Sequence, residues 1–277
     1  MQGKLYIVAT PIGNLDDITI RALNVLKEVD LIAAEDTRHT LGLLNHFDIK
    51  KPLFSYYKEV EQDKAPALID KLKQGENIAL VSDAGTPGIC DPGHVIIKKC
   101  IEEGIQVVPI PGAVAFVNAL IASGLDTTHF EFIGFLSANK TEKKKQLEEL
   151  KYNTNTMIFY EAPHKMESTL SAMREVFGDD RKVVLAKELT KIYETFVRGA
   201  LSTICEQVED FKGEYVILIE GSNISKQEKE KQDLKELSLE EHYSFYEQQG
   251  LSKKDIIKQI AKDRNVNKNE IYQHFMG

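Results

Sequence analysis

From Leu5 to Ile110 short apolar runs alternate with amphipathic stretches, a rhythm that predicts strands and helices in turn. Leu5–Ala9, Leu31–Ala34, Ile78–Val81 and Val107–Ile110 are nearly continuous apolar runs. That is the pattern of strands covered on both faces of a parallel sheet. Between them Ile18–Lys27, Lys64–Gln74 and Pro92–Glu103 read as helices, with Gly75 and Gly104 where helix C-caps fall. Residues 1–124 are therefore expected to form a parallel α/β domain.

After Gly124 the texture changes. Phe130–Leu136, Thr156–Tyr160, Val183–Ala186, Glu194–Arg198 and Tyr215–Ile219 are strand candidates with more aromatic and mixed faces. Helices are predicted at Lys140–Leu150, His164–Phe177 and Leu201–Val208. The pair Glu194–Arg198 and Tyr215–Ile219 suggests antiparallel pairing, so a second α/β domain with a mixed sheet is expected over 125–221. The boundary should lie within Ser123–His129.

Residues 222–236 are polar, charged and almost free of large apolar side chains, which predicts a linker. A tail over 237–277 follows, with three short helices. Ser238 stands three before Glu241, Ser252 three before Asp255 and Asn267 three before Glu270, each a helix-start signature. Ile256, Ile257, Ile260 and Ala261 give one helix an apolar stripe; Ile271, Tyr272 and Phe275 give the next one another. The turn at Arg264–Val266 has the length of a helix-turn-helix connection.

Composition changes this picture little. Among 277 residues, 42% are hydrophobic and 28% charged, the balance of an ordinary globular protein. No apolar run approaches the roughly 18–20 residues of a membrane helix, and the apolar strand at Leu5 begins without a signal-peptide layout. Cys90, Cys100 and Cys205 lack metal-ligand spacing, so three reduced thiols in a cytoplasmic protein are expected, with no metal and no membrane. The net charge of −8 argues against broad binding to nucleic acid. The stretch Leu251–Gly277, however, carries six Lys/Arg against three Asp/Glu, so a local basic face can exist.

In a parallel sheet, ligands bind beyond the carboxyl ends of the strands. The densest loop there is Ser82–Gly93, with glycines and prolines that fix a backbone close to a ligand and with Asp83 and Asp91 able to accept hydrogen bonds from an amine or ribose. A rigid solvent loop is the plain alternative. No G-x-G-x-x-G, P-loop, H-E-x-x-H or G-x-S-x-G is present, so dinucleotide, P-loop, zinc-peptidase and serine-hydrolase chemistries are unsupported.

Seven segments in order carry a resemblance: LYIVATPIGNL at Leu5–Leu15, AEDTR at Ala34–Arg38, SDAGTPGICDPG at Ser82–Gly93, PGAVA at Pro111–Ala115, FIGFL at Phe132–Leu136, FYEAPHK at Phe159–Lys165 and KELTKIYE at Lys187–Glu194. Over Lys4–Gly221 the chain resembles the tetrapyrrole methylase superfamily. Within it, the chain is similar to the branch that methylates a cytidine ribose 2′-hydroxyl of 16S ribosomal RNA near the decoding centre. Cys90 stands where that resemblance leads one to expect serine.

The resemblance implies two α/β domains with a cleft for S-adenosylmethionine between them, a small C-terminal helical appendage, and a homodimer that acts on 16S ribosomal RNA within the small ribosomal subunit. By it, Pro11, Gly13, Asp83, Ala84, Gly85, Pro87 and Ile89 would hold the cofactor, with Pro111, Gly112, Ala113 and Ala115 in the next loop. Tyr160, Glu161, Leu189 and Val216 would complete the pocket from the second domain. The helix starting near Ala113 would offer free N–H groups to the cofactor's carboxylate.

Methyl transfer to a hydroxyl needs alignment and removal of a proton. The polar candidates are Glu35, Asp36, Arg38, Lys187 and Glu188, with Asp36 as base or orienter, Arg38 as a phosphate or ribose anchor and Lys187 as cationic partner. Asp36 could instead cap the helix starting at Thr37, and Lys187 with Glu188 could be a structural ion pair. In the tail, Lys253, Lys254, Lys258, Lys262, Arg264 and Lys268 could meet RNA phosphates, or the tail could be a solubilising appendage or dimer contact. Two rival functions share parts of this pattern: C-methylation of a tetrapyrrole such as a corrinoid or sirohaem precursor, and ligand sensing by a DNA-binding regulator.

Overall fold

The computed structural model describes residues 2–207 and 211–276. Its first sheet holds β1 (Leu5–Val8), β2 (Leu31–Ala34), β3 (Leu53–Ser55), β4 (Ile78–Val81) and β5 (Val107–Ile110), all parallel in the order β3-β2-β4-β1-β5. Helices α1 (Ile20–Glu28), α2 (Thr37–His46), α3 (Glu61–Lys73) and α4 (His94–Glu102) make the crossovers. Alternation along each strand divides the core. Leu5, Ile7, Leu31 and Leu80 pack with Leu68 and Leu72 of α3 and Ile96 and Cys100 of α4. Val8, Ile32, Ala79 and Val81 turn the other way, onto Ala22 and Leu26 of α1 and Leu44 of α2. This is the doubly covered sheet that continuous apolar runs predict.

Helix α5 (Ala115–Ser123) leads to the second sheet, and Gly124 ends it in the left-handed region at φ 83°. That sheet holds β6 (Phe130–Phe135), β7 (Thr156–Glu161), β8 (Lys182–Lys187), β9 (Thr195–Ala200) and β10 (Tyr215–Ile219), ordered β6-β7-β10-β8-β9. Only β6 and β7 run parallel; Ile217 of β10 faces Phe159 of β7 on one side and Leu185 of β8 on the other, both antiparallel. The predicted strand at Glu194–Arg198 is thus real, shifted to Thr195–Ala200, but it pairs with β8 rather than with β10. Ala119 and Leu120 of α5 pack on the face formed by Ile158, Val184, Val216 and Leu218. Helices α6 (Lys140–Leu150), α7 (Met166–Phe177) and α8 (Leu201–Gln207) complete the chain's middle part; Val208, expected to end the last of them, lies outside the described residues.

The two sheets form one compact unit, residues up to Glu148 together with Thr156–Glu220. A second unit comprises Glu149–Asn155 and Gly221 onward. It contains α9 (Lys226–Glu236), α10 (Leu239–Gln248), α11 (Lys253–Arg264) and α12 (Lys268–Met276). Helix α9 corrects the expected linker at 222–236. The segment has few apolar residues, but Ser225 and Glu228 form a reciprocal capping box and Lys229 pairs with Asp233 one turn on at 2.6 Å. A polar helix of this kind is held by caps and ion pairs rather than by a buried stripe. Ser238 and Ser252 cap α10 and α11 as the sequence predicts. The core of this unit is Tyr246, Ile256, Ile257, Ile260 and Ile271, with Leu234 of α9 packed against it.

Candidate functional site

The carboxyl ends of β1, β2, β4 and β5 are tied together by their loops. Because β2 and β4 pair with Ala34 opposite Val81, the next residues on each strand meet. The Asp83 N–H donates to Glu35 Oε2 at 3.3 Å, and the Asp36 N–H donates to Asp83 Oδ1 at 3.0 Å. Thr10 and Gly85 exchange backbone hydrogen bonds at 2.8 and 3.1 Å, which joins the loop after β1 to the loop after β4. The loop after β5 presses on the end of β1 so closely that a Cβ at Gly112 would stand 2.7 Å from that of Ala9. Gly112 is fixed by that approach.

These loops make one wall of a cavity of about 450 Å³, within the volume range of small-ligand sites. Asp83, Ala84, Gly85, Ile89 and Asp91 line it from the loop after β4, and Ala115 from the start of α5. The second sheet supplies the facing wall, with Tyr160 and Glu161 at the end of β7, Ala186 and Leu189 at the end of β8, and Tyr215 and Val216 on β10. Phe135 and Cys90 close another side. There β6 bulges between Phe132 and Gly134, and Gly134, at φ 77°, lets the Cys90 Sγ lie 3.1 Å from where a Cβ would be.

Of the residues predicted to hold a cofactor, Asp83, Ala84, Gly85, Ile89, Ala115, Tyr160, Glu161, Leu189 and Val216 line the cavity. Pro11, Gly13, Pro87, Pro111, Gly112 and Ala113 do not, though Gly13, Gly112 and Ala113 make contacts beside it. Ala113, for example, accepts the Thr86 hydroxyl at 3.2 Å, and Gly13 packs against Leu189 and Lys191. The expected helix start near Ala113 moves to Ala115, and the Tyr160 hydroxyl already accepts the Phe116 N–H at 3.2 Å.

The five polar candidates separate. Glu35 lines the cavity, whereas Asp36, Arg38, Lys187 and Glu188 do not. Asp36 is the N-cap of α2, accepting the Arg38 N–H at 2.8 Å, and its carboxylate also takes both Nε and Nη2 of Arg38, at 3.1 and 2.7 Å. The Arg38 guanidinium holds that carboxyl far below the usual carboxylate range. Lys187 stands 5.8 Å over the Tyr215 ring, and Glu188 pairs with Lys191 at 3.1 Å, so the considered Lys187–Glu188 ion pair is replaced by Glu188–Lys191. The cause is backbone: Glu188 sits at φ 51°, and its side chain turns toward Lys191 and the Glu214 N–H, 2.8 Å away.

Five acidic residues, Glu35, Asp83, Asp91, Glu161 and Glu214, line the cavity. Burial, then the charges of Glu35 and Asp83, push the Asp91 carboxyl up to about 6. Burial also raises Glu35, against the hydrogen bond from the Asp83 N–H. Tyr160 is pushed up to about 12, again by burial first. Glu161 differs: its Oε1 accepts the Ala162 N–H at 2.9 Å and its Oε2 the Thr169 hydroxyl at 2.6 Å, with buried Lys143 3.9 Å away. The carboxylate is committed to this network, and Ala162 and Pro163 after it meet the cavity.

The sequence reading missed Ile12, Phe135, Ala186, Glu214 and Tyr215 as lining residues. Strand register carried the signal for some of them: Val216 pairs with Ala186, and Tyr215 with Lys187. In the helical unit, Lys253, Lys254, Lys258, Lys262 and Lys268 are exposed. Arg264 is not available as expected. It donates to His242 Nδ1 at 3.2 Å, to the Ser238 carbonyl at 3.2 Å and to the Leu237 carbonyl at the end of α9. Among the described residues no cluster of His, Cys, Asp or Glu could hold a metal ion, and no helix is long and apolar enough to cross a membrane.

The sequence profile of the tetrapyrrole (corrin/porphyrin) methylases matches residues 4–205. Ribosomal RNA small subunit methyltransferase I of Bacillus subtilis (strain 168) is 48% identical over 275 residues, 99% of this chain and 94% of its own length. The protein of the same name from Halalkalibacterium halodurans is 49% identical over 273 residues, 98% of this chain and 94% of its own. The chain belongs to the ribosomal RNA small subunit methyltransferase I family of the tetrapyrrole methylases. For the fold alone, a crystal structure of uroporphyrin-III C-methyltransferase from Thermus thermophilus, complexed with S-adenosylhomocysteine, matches with a TM-score of 0.56 at 18% identity, over 78% of this chain and 97% of its own. Both walls of the cavity up to the end of β8 fall inside the span matched by the tetrapyrrole methylase profile, while β10 and helices α9 to α12 lie beyond it.

Proposed function

We propose that this chain binds S-adenosylmethionine in the cavity between its two sheets and methylates the ribose 2′-hydroxyl of a cytidine in 16S ribosomal RNA near the decoding centre. The reading rests on family membership at close to half identity over nearly the whole chain. The observation that carries it is the cavity's donor set. S-adenosylmethionine is cationic at sulfur and at its amine, and Glu35, Asp83 and Asp91, among the five acidic residues that line the cavity, suit that charge. Its adenosine needs apolar walls, which Ile12, Ile89, Leu189 and Val216 provide. The start of α5, which has no side-chain cap, supplies backbone N–H groups suited to a carboxylate. The residues present therefore fit the cofactor, whose contribution is an activated methyl group.

The chain's own residues then bind and orient. The exposed Arg38, placed beside Asp83 through Asp36, suits a phosphate of the RNA backbone. Lys187 is the cation nearest in sequence to the end of β8 and would oppose developing negative charge there. The exposed lysines of the helical unit, Lys253, Lys254, Lys258, Lys262 and Lys268, serve as phosphate contacts in the small subunit. The protein acts in the cytoplasm, and as a homodimer.

The test supplies labelled S-adenosylmethionine to three acceptors: small subunits lacking the modification, free 16S RNA and a tetrapyrrole precursor. The reading expects label on RNA in an alkali-resistant dinucleotide, since a blocked 2′-hydroxyl prevents backbone cleavage. Label confined to the tetrapyrrole would keep the cofactor site and overturn the substrate. Specific duplex-DNA binding with no transfer to any acceptor would favour the regulator instead.

A further inference from the structure

Leu189 lines the cavity, and the residues around it, from Glu188 to Glu194, form the turn between β8 and β9. Lys187 pairs with Thr195 across the base of that turn, so its tip stands at the cavity's end of β8. There Ile192 is 94% and Tyr193 78% exposed. A single exposed apolar side chain signifies little. An aromatic ring held in water at the edge of a ligand cavity, on a clamped and strained turn, is a different case.

Glu188 and Thr190 adopt φ 51° and 64°, in the left-handed region, and for a β-branched residue such as Thr190 that backbone is strained. The Thr190 N–H donates to Glu194 Oε2 at 2.7 Å, and the Thr195 hydroxyl to the Tyr193 carbonyl at 3.1 Å. The Lys191 and Glu194 N–H groups donate to the carbonyls of Glu188 and Lys191, at 3.0 and 3.1 Å. Lys191 Nζ bridges Glu188 and Glu214 at 3.1 and 2.9 Å. The turn is also pressed onto the loop after β1: a Cβ at Gly13 would stand 2.6 Å from the Lys191 Cγ and 2.9 Å from the Leu189 carbonyl oxygen. Strain of this kind persists only where surrounding contacts over-determine it, and these contacts fix the backbone that carries the Tyr193 ring.

From this geometry we infer that Tyr193 is the platform on which the RNA substrate stacks the base of the methylated nucleotide. The inference rests on the proposed ribose methylation. Bringing a ribose hydroxyl against a cofactor inside a cavity pulls its nucleotide away from its neighbours, and a base unstacked in this way is recognised by aromatic rings. Tyr193 follows Leu189 by four residues, so its Cα lies at most about 14 Å from that of a cavity-lining residue. A sugar, its base and a tyrosine side chain together cover such a distance. The ring suits the task because every base offers a π-face, while the phenol hydroxyl stays in water. A second copy of the chain is a poorer occupant: a stable interface buries about 1,600 Å² in all, far more than two side chains at the tip of a turn supply.

The test is transfer from saturating labelled S-adenosylmethionine to unmodified small subunits at limiting subunit concentration, with S-adenosylhomocysteine affinity measured by calorimetry. Tyr193→Ala should lower transfer efficiency about 5- to 150-fold, the range for one lost base–aromatic stack, and leave that affinity within about threefold at an unchanged melting temperature. Tyr193→Phe and Tyr193→Trp should stay within about threefold of the wild type, whereas Tyr193→Leu, apolar but without a π-face, should fall with Tyr193→Ala. Tyr193→p-azidophenylalanine, irradiated on the small subunit, should crosslink to 16S RNA at the methylated nucleotide. Tyr193→Ala within about threefold of the wild type, Tyr193→Leu as active as Tyr193→Phe, or a crosslink to a second copy of the chain in place of RNA overturns the inference. A wild type that labels no RNA overturns the ribose-methylation reading instead, and the stacking platform with it.

Discussion

The two compact units use their buried polar groups in opposite ways. In the sheet unit Glu35, Asp83 and Asp91 gather at one cavity, and burial, with repulsion from neighbouring carboxylates second, raises Glu35 and Asp91. In the helical unit His242, Tyr246, Asp263 and Arg264 pair largely with one another, although the buried His242 Nε2 has no hydrogen-bond partner. Tyr246 donates to Asp263 Oδ2 at 2.6 Å, Gln259 to Oδ1 at 3.0 Å, and Arg264 to His242 Nδ1 at 3.2 Å. The second arrangement is a polar core that specifies how α9, α10 and α11 meet. The first is a surplus of negative charge facing open space, which a cationic ligand would relieve. Burial alone does not mark a site; a local excess of one charge beside a cavity does.

Breaking a satisfied buried contact in the sheet unit should have the largest effect on stability. Lys143 donates to the Thr169 hydroxyl at 2.7 Å and stands beside Glu161, all three buried. Lys143→Ala leaves the Glu161 carboxylate without its cation and should cost about 3–5 kcal/mol by denaturant unfolding. Lys143→Met with Glu161→Gln should cost clearly less. Equal losses would show that the charge is not what matters there.

Arg264→Ala should come next, confined to the helical unit. It removes charged hydrogen bonds to His242 and to carbonyls at the end of α9, at roughly 1.5–3 kcal/mol. Amide exchange should accelerate in α9 to α11 while S-adenosylhomocysteine affinity holds. Faster exchange in the β4 loop instead would contradict the division into units.

The two units should also respond to pH with opposite sign. Burial, and then the Arg264 charge, depress His242, so the unfolded chain binds its proton first as pH falls below about 6.5. The His242 contribution is therefore complete above that pH and is lost on acidification. Asp91 is raised from 3.8 to about 6, so the folded chain holds a proton the unfolded chain has released. Its contribution is present at low pH and is lost as pH rises through 6. Site-resolved exchange at pH 5.5 and 7.5 should show the helical unit loosening in acid while the Ser82–Gly93 loop tightens.

The smallest effect is electrostatic. Lys253→Gln, Lys254→Gln and Lys258→Gln together should leave melting unchanged but flatten the salt dependence of small-subunit binding, by about 0.7 in log–log slope per phosphate contact. An unchanged slope would remove these lysines from the interface.

Sequence made the first sheet legible because each of its strands is a local apolar run, and the Asp83–Ile89 loop legible because its glycines and prolines are local too. What it hid is set by pairing between distant segments. Ala186 and Tyr215 reach the cavity only through the register of β8 against β10. Cys90 is placed by the bulge at Gly134, which no pattern in either segment announces. Asp36 drew attention as a carboxylate after a strand, yet the same position is where α2 needs a cap, and the cap is what the structure contains. The sequence of α9 resembles a linker because its stability comes from a capping box and ion pairs, not from apolar period.

The most direct measurement of the central claim, that the cavity between the sheets is the cofactor site, is calorimetric titration of S-adenosylhomocysteine into the wild type and Ala84→Trp. Ala84 is an exposed lining residue, so the indole fills the cavity without crowding the core. One site per chain in the wild type, weakened at least 100-fold by Ala84→Trp at an unchanged melting temperature, is the predicted result. Equal affinity in both proteins would place the cofactor elsewhere and contradict the account.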